Sequence, residues 1–210
     1  MVGGLLLQSA AESGEVESIV SLVRRPSGKV SPKVAEVVVP DFASYASAAE
    51  HFKGMDAAFF CVGAYTGSVP DEEFRKITVD YAVAFAEALK ANSPAASLCL
   101  LSGAGADRSL KSKLPFARYK GMAENAISKT GLKFHTFRPG YIYPATPRRE
   151  PNFSYKVFKF LYPLIKLLGP GYSITSAELA AAMLKAGLSG ADKEILENAD
   201  ILKLLAAEEK

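Results

Sequence analysis

Asp56-Ala57-Ala58-Phe59-Phe60-Cys61-Val62-Gly63 is the stretch on which the fold assignment rests. It is apolar without interruption from Ala57 to Val62 and closes on a glycine. A strand that is covered on both faces of a sheet has this continuous apolar pattern, whereas a half-exposed strand alternates apolar and polar residues. The stretch therefore predicts an interior strand of a parallel sheet.

Other short apolar runs lie on either side of that stretch, separated by segments of helical composition. The expected strands are Ile19–Val23, Val34–Val39, Ser97–Leu101 and Leu132–Phe137. The expected helices are Gly4–Ser13, Ser44–Phe52, Asp71–Ala91, Phe116–Lys129 and one that Thr175 and Ser176 cap. Strands that alternate with helices form right-handed crossovers. The sequence thus predicts the α/β class, with a Rossmann-like doubly wound parallel sheet and helices on both faces.

The length of the chain limits its domain organisation. Its 210 residues, 49% of them hydrophobic, suffice for one sizeable core but not for two ordinary domains. We expect a single domain over residues 1–210, with a cofactor-binding core over about 1–144 and a substrate-side cap of helices over about 145–210. Within the cap, Tyr155–Leu168 is expected to be a helix with its lysines in water; membrane-surface binding is the alternative.

Charge and cysteine content argue against several classes of protein. The 25 basic and 22 acidic residues give a formal net charge of +3, which is too balanced for a nucleic-acid-binding protein. Cys61 and Cys99 lie in apolar runs, so we expect buried thiols and no metal site. Reduced thiols and the lack of a secretory signal or transmembrane segment favour a cytoplasmic location.

The residues that follow the predicted strands are the candidate cofactor ligands, because dinucleotides bind at the carboxyl edge of such sheets. Arg24 and Arg25 follow the strand Ile19–Val23, where an acidic residue would instead accept the ribose hydroxyls of NAD. Arginine pairs with the 2′-phosphate of NADP. The sequence therefore favours NADP(H) over NAD(H), with a solvated surface pair as the alternative for the two arginines.

Further candidates follow the next strands along the chain. Asp41 could bind the adenine amine and Phe42 could lie near the adenine ring. The small residues of Cys61-Val62-Gly63 would let the backbone approach the nicotinamide ribose and the diphosphate, although a glycine that merely ends a strand explains them nearly as well. Ser102 could reach a substrate carbonyl or cap a turn.

The chain resembles the atypical short-chain dehydrogenase/reductase proteins in its succession of motifs, which are VSLVRRP, VVVPDF, DAAFFCVG, LCLLSGAGAD, YKGMAEN and FHTFRPGYIYP. Within that group it is most similar to the Tat-interacting-protein-like oxidoreductases and the related NmrA-like NAD(P)-binding proteins. The resemblance implies that Lys120 orients the nicotinamide ribose and that Ser102 polarises a substrate carbonyl. It also implies that Pro139-Gly140-Tyr141 borders the nicotinamide.

Two departures from the family pattern affect these expectations. The family spaces its catalytic tyrosine and lysine as Y-x-x-x-K, but Phe116 stands at the tyrosine position and has no proton to give. Tyr119 is next to Lys120, about 100° round a helix, and should not substitute. At the start of the chain, Gly3 would match the third glycine of the G-x-x-G-x-x-G fingerprint, and the preceding strand is expected to be missing from a shortened sequence.

Two functions remain open on this evidence. The first is an NADP(H)-binding oxidoreductase that acts on a small carbonyl or alcohol, with Ser102 and Lys120 as its catalytic residues and the proton supplied by substrate or water. The second is a non-catalytic NADP-binding redox sensor or scaffold, which Phe116 favours. The substrate and any protein partner are left open by the sequence.

Overall fold

A computed structural model of the chain describes residues 1–26, 28, 31–145, 162 and 169–207. Its strands are β1 (Ile19–Val23), β2 (Val34–Val38), β3 (Ala57–Phe60), β4 (Ser97–Leu101), β5 (Lys133–Arg138), β6 (Tyr141–Tyr143), β7 (Ser173–Thr175) and β8 (Ile195–Glu197). Its α-helices are α1 (Val2–Glu12), α2 (Asp71–Arg75), α3 (Tyr81–Asn92), α4 (Pro115–Ser128), α5 (Ser176–Ser189) and α6 (Asn198–Ala206). A 3-10 helix covers Ala46–Phe52, and a π-helical turn, Lys76–Asp80, joins α2 to α3.

The strands are parallel, as the sequence predicted. β3, β4, β5 and β8 form a four-stranded sheet in that order, and β1 pairs with β2. Within the described residues β1 and β3 are not hydrogen-bonded to each other, so the main sheet is in two parts. The short strands β6 and β7 form a third parallel pair.

Helices cover both faces of the four-stranded sheet. Successive side chains of a strand point to opposite faces, so each strand contributes to the core on both sides. On one face, Leu98 and Leu100 of β4 pack with α3, α4 and the 3-10 helix. On the other face, Cys99 of β4 packs with α1, α5 and α6. The predicted doubly wound α/β architecture is thereby confirmed.

Two segments differ in detail from the expected helices. The helix expected over Ser44–Phe52 is a 3-10 helix that begins at Ala46 and buries Ala48 and Phe52. The expected helix Asp71–Ala91 is interrupted by the π-helical turn, in which the Tyr81 amide bonds to the Lys76 carbonyl and Thr78 and Val79 are buried.

The start of α5 follows the predicted capping pattern. The Thr175 side chain accepts a hydrogen bond from the Glu178 amide, and the Glu178 carboxylate accepts one from the Thr175 amide. The expected helix Tyr155–Leu168 lies outside the described residues except for Tyr162, whose ring stacks on Tyr143 at 3.9 Å. None of the helices in the described ranges is long and apolar enough to cross a membrane.

Candidate functional site

Lys120 marks the point where several predicted site residues meet. Its ammonium group donates a hydrogen bond to the carbonyl of Leu101, the last residue of β4 (3.1 Å). Burial lowers the pKa of Lys120 to about 8, although the Glu124 carboxylate and the Cys61 thiol act in the opposite direction. Lys120 therefore lies at the carboxyl edge of the sheet, next to the ends of β3 and β4.

The first turn of α1 reaches the same edge. A Cβ atom added to Gly3 would lie 3.2 Å from the Cβ of Cys61, so glycine is what lets the helix approach the end of β3 this closely. The amide groups of a helix N-terminus have no partners within the helix and favour phosphate. Gly63, two residues beyond Cys61, is exposed, and a Cβ placed on it would have no atom within 4 Å.

Ser102 faces a buried ionic network rather than open solvent. Its hydroxyl donates a hydrogen bond to Oε1 of Glu124 (2.6 Å), and the Glu124 side chain is fully buried. Glu124 also binds the guanidinium groups of Arg138 (2.6 Å) and Arg108 (2.9 Å). The hydroxyl proton of Ser102 is therefore directed towards a carboxylate.

The partners of Glu124 keep it ionised. Burial alone would raise its pKa, but the hydrogen bonds from Arg138 and Ser102 and the positive charge of Arg138 hold the pKa of Glu124 below its ordinary value. Each arginine has a second partner as well: Arg138 pairs with Glu197 (3.0 Å) and Arg108 with Glu194 (2.7 Å). We call Ser102, Arg108, Glu124, Arg138, Glu194 and Glu197 the Glu124 network.

The loop after β4 is fastened to α4 beside this network. A Cβ at Gly121 would collide with the carbonyl oxygen of Asp107, so only glycine lets the loop lie against the helix here. The Asn125 side-chain amide donates to the carbonyl of Arg108 (2.8 Å). Gly121 and Asn125, both within the sequence Lys-Gly-Met-Ala-Glu-Asn of α4, therefore hold the loop against the helix.

Phe116 occupies space beside Gly103. Its ring carbon Cζ lies 2.6 Å from the place of a Cβ on Gly103. Tyr119, the neighbouring tyrosine, is buried and donates its hydroxyl to Asp71 of α2 (2.6 Å). As the sequence indicated, Tyr119 is committed elsewhere and does not replace a tyrosine at position 116.

The segment Pro139-Gly140-Tyr141 runs beside the loop after β4. The carbonyl of Pro139 accepts a hydrogen bond from the Ala104 amide (2.9 Å). The Tyr141 amide donates to the Tyr172 carbonyl (2.9 Å), and a Cβ on Gly140 would collide with that same oxygen. Glycine is needed at position 140 because the Tyr172 backbone lies too close for a larger residue.

The remaining predicted residues belong to the other part of the sheet or to the core. Arg24 and Arg25 follow β1 and are exposed. Asp41 is exposed and lies 3.8 Å from Lys76. Phe42 is buried in the core, stacked on Tyr45, rather than presented on the surface. The structure therefore brings together Gly3, Cys61, Ser102 and Lys120, and it places the two arginines on the separate β1–β2 pair.

Comparison with known proteins identifies the family of this chain. The family described as NAD(P)H-binding matches residues 1–187. The chain belongs to this family. The NAD(P)H-binding chain is also 30% identical over 171 residues to Protein HTATIP2 from Rattus norvegicus, across 79% of this chain and 68% of that protein. The resemblance to Tat-interacting-protein-like atypical dehydrogenases is confirmed.

Solved structures agree with the family assignment at the level of fold. The Bordetella bronchiseptica enzyme WbmH in complex with NAD+ has a TM-score of 0.69 and 16% identity, covering 94% of this chain and 71% of that one. A putative NAD-dependent epimerase/dehydratase from Bacillus halodurans has a TM-score of 0.66 and 16% identity, covering 99% and 94%. A short-chain dehydrogenase from Burkholderia cenocepacia in complex with NADP has a TM-score of 0.61 and 20% identity, covering 99% and 89%.

The residues at the carboxyl edge of this NAD(P)H-binding chain fit a dinucleotide. The start of α1 offers unpartnered amides, Gly63 leaves open space for a close approach, and Lys120 offers a cation at the end of β4. Gly3 and Lys120 would hold the phosphates and a ribose, respectively. When bound, the nicotinamide would supply or accept hydride.

Sequence reasoning missed the residues that stiffen the site. Glu124 lies one helical turn beyond Lys120 on the same face of α4, which was the available signal for a paired carboxylate. Arg138 stood only within the motif FHTFRPGYIYP and was given no role of its own. Asn198, which binds the backbone of Gly140, carries no motif that the sequence alone would reveal.

Proposed function

We propose that this chain is a non-catalytic NADP(H)-binding protein, a redox sensor or scaffold of oxidoreductase ancestry. It binds the dinucleotide along the carboxyl edge of the sheet and does not use the hydroxyl proton donor of its family. The nucleotide state then acts through the surface of the protein on a partner. The proposal is supported by the family, by the fit of the carboxyl edge of the sheet to a dinucleotide, and by the packing of Phe116 against Gly103.

The observation that carries the proposal is the packing of Phe116 against Gly103. Phe116 supplies no hydroxyl at the tyrosine position, and its ring fills the space that a side chain at position 103 would need. A side chain at position 103 would require the ring to move. The contact between Phe116 and Gly103 is therefore apolar and offers no proton to a substrate.

The state of Ser102 supports the same conclusion. Because its hydroxyl proton is donated to ionised Glu124, Ser102 has no second proton to give to a substrate carbonyl. Without that donor and without a tyrosine, the developing charge on a carbonyl oxygen has fewer hydrogen-bond donors to stabilise it. Binding without turnover is the function that these contacts favour.

NADP(H) rather than NAD(H) is the proposed ligand because two exposed arginines, Arg24 and Arg25, follow β1. Guanidinium groups bind phosphate oxygens in a fork geometry that a ribose hydroxyl cannot exploit. We also propose a cytoplasmic location, supported by the free thiols of Cys61 and Cys99, which are typical of a reducing compartment.

Two measurements on the whole chain test the proposal. Isothermal titration is expected to show binding of NADPH in preference to NADH, and no oxidation of NADPH is expected with a panel of aldehydes and ketones. Phe116→Tyr serves as the positive control, because turnover in that variant alone would show that the missing hydroxyl is what prevents the reaction. Turnover by the unmodified chain would refute the non-catalytic proposal, and the lack of any binding heat would refute the binding proposal.

A second candidate, an NADP(H)-dependent carbonyl or alcohol oxidoreductase, is favoured by Lys120. A reductase must give a proton to the carbonyl oxygen as the carbon is reduced. The ammonium group of Lys120, with its pKa lowered to about 8 by burial, would suit that role near neutral pH. In that case the reduction rate falls as the pH rises past 8 and is lost in Lys120→Met, whereas a pH-independent rate would exclude Lys120 as the proton donor.

A further inference from the structure

Asn198 makes three hydrogen bonds that join two separate parts of the chain. The residue begins α6 and is only 2% exposed. Its side-chain oxygen accepts a hydrogen bond from the Gly140 amide (2.8 Å). Its side-chain nitrogen donates to the carbonyls of Pro170 (2.6 Å) and Ser173 (2.8 Å). The side-chain amide thus uses its acceptor and both of its donors.

The groups that Asn198 binds surround the segment beside the proposed nicotinamide site. Gly140 lies two residues beyond β5, and Tyr172, which lies between Pro170 and Ser173, accepts the hydrogen bond of the Tyr141 amide. Neighbouring Glu197 binds Arg138 at the end of β5. The start of α6 therefore holds Arg138–Tyr141 from the side opposite to α4.

We infer that Asn198 is a positioning residue, which fixes the backbone of Gly140 at the nicotinamide end of the cleft. This inference rests on the proposed NADP(H) binding. Asn198 lies beyond residues 1–187, the part of the chain that the family match covers, so the match itself assigns it no role. Asn198 would thus contribute to cofactor recognition indirectly, by holding the backbone of Arg138-Pro139-Gly140 in place.

The substitution Asn198→Asp separates the two kinds of hydrogen bond. Aspartate keeps an acceptor for the Gly140 amide but replaces the amide nitrogen by an oxygen that faces the carbonyls of Pro170 and Ser173. Since buried acceptors then face each other, the segment is expected to shift. The matched control is Asn92→Asp at the end of α3, which loses a single bond to the Ala88 carbonyl (2.9 Å), far along the chain from this segment.

Calorimetric titration with two ligands distinguishes positioning from a general loss of structure. NADPH engages the whole cleft, whereas adenosine 2′,5′-bisphosphate engages only the end near Arg24 and Arg25. For Asn198→Asp we expect about tenfold weaker NADPH binding and unchanged bisphosphate binding, with neither changed in Asn92→Asp. Equal binding of NADPH by both variants, or a matching loss of both ligands in Asn198→Asp, would overturn the inference.

A third variant keeps the inference testable if Asn198→Asp does not fold. Asn198→Ser shortens the side chain without adding charge, so it leaves the Gly140 amide unpaired while avoiding repulsion at the carbonyls. The same selective loss of NADPH binding is expected. Failure of the unmodified chain to bind NADPH would reject the proposed function and this inference with it, whereas normal NADPH binding by Asn198→Ser would reject the inference alone.

Discussion

The two parts of the sheet differ in how their carboxyl ends are held. β4 and β5 end in the Glu124 network, where a fully buried carboxylate binds two guanidinium groups and a serine. β1 ends in exposed Arg24 and Arg25, and β2 leads to Asp41, which is exposed and only distantly paired with Lys76. We conclude that buried ion pairs hold the proposed nicotinamide end, whereas the end proposed to bind the 2′-phosphate, called here the phosphate end, presents exposed charges.

This difference predicts where substitutions alter stability and where they alter ligand preference. A change in the Glu124 network removes partners from buried charges, so it should destabilise the fold. A change at the exposed arginines removes charges that water already solvates, so it should affect ligand binding alone. Three sets of substitutions and one pH series test the contrast, beginning with the largest expected effect.

Glu124→Gln is expected to have the largest effect. The substitution keeps the shape of the side chain but leaves Arg138 and Arg108 without their shared carboxylate, which should lower the free energy of unfolding by about 3 kcal/mol. Urea denaturation measures the change. Glu50→Gln, at an exposed pair with Lys53, is the control and should unfold almost as the unmodified chain does. Equal unfolding midpoints for the two variants would contradict the difference proposed here.

Gly121→Ala should have the next largest effect. The added methyl group collides with the backbone of Asp107, which cannot move without the loop, so we expect a loss of about 2 kcal/mol. Gly63→Ala is the matched variant, since its methyl group enters open space. It should leave the melting temperature unchanged and weaken NADPH binding. A lower melting temperature in Gly63→Ala than in Gly121→Ala would contradict this.

The third prediction concerns pH. Because the folded chain holds the pKa of Glu124 below its ordinary value of 4.5, the stabilisation by Glu124 is fully present above that value. It is lost as the pH falls through the pKa of the folded state. The stability difference between the unmodified chain and Glu124→Gln should therefore be largest near neutral pH and shrink in acid. Denaturation curves that keep a constant difference down to strong acid would argue against an ionised Glu124.

The smallest effect is expected at the phosphate end, where the free energy of NADPH binding should change but the free energy of unfolding should not. Replacing both Arg24 and Arg25 by alanine should weaken NADPH binding about tenfold and leave NADH binding and the melting temperature unchanged. Arg75→Ala, at an exposed ion pair with Asp80 on the π-helical turn, is the control. An equal loss for both nucleotides would show that these arginines do not recognise a 2′-phosphate.

Patterns along the sequence predicted the five-residue strands well. Strands Ile19–Val23 and Ser97–Leu101 were predicted at their observed bounds, because short runs of mostly apolar residues stand out from the helical segments around them. The three-residue strands β6, β7 and β8 were not predicted, because they are too short to show a period and pair only through tertiary contacts. Composition predicted a helix over Ser44–Phe52, but it does not distinguish an α-helix from the observed 3-10 helix.

The candidate site was predictable to a lesser degree. Lys120 and Gly3 came from the resemblance to the family, and the structure places both at one edge of the sheet. Phe116 was recognised as a departure, but its packing on Gly103 required coordinates. Partnerships such as those of Glu124 and Asn198 join residues far apart in the chain, and a single sequence holds no signal of which side chains will meet.

The π-helical turn Lys76–Asp80 accommodates an extra residue ahead of α3. A turn of this kind contains one residue more than a regular α-helical turn, and its wider winding takes up that residue without rotating the helix that follows. Removing a single residue, such as Thr78, would therefore leave a continuous α-helix in which Ala82, Ala86 and Leu89 still face the sheet that they now cover. A related chain that is one residue shorter at this point could carry the same apolar pattern in α3.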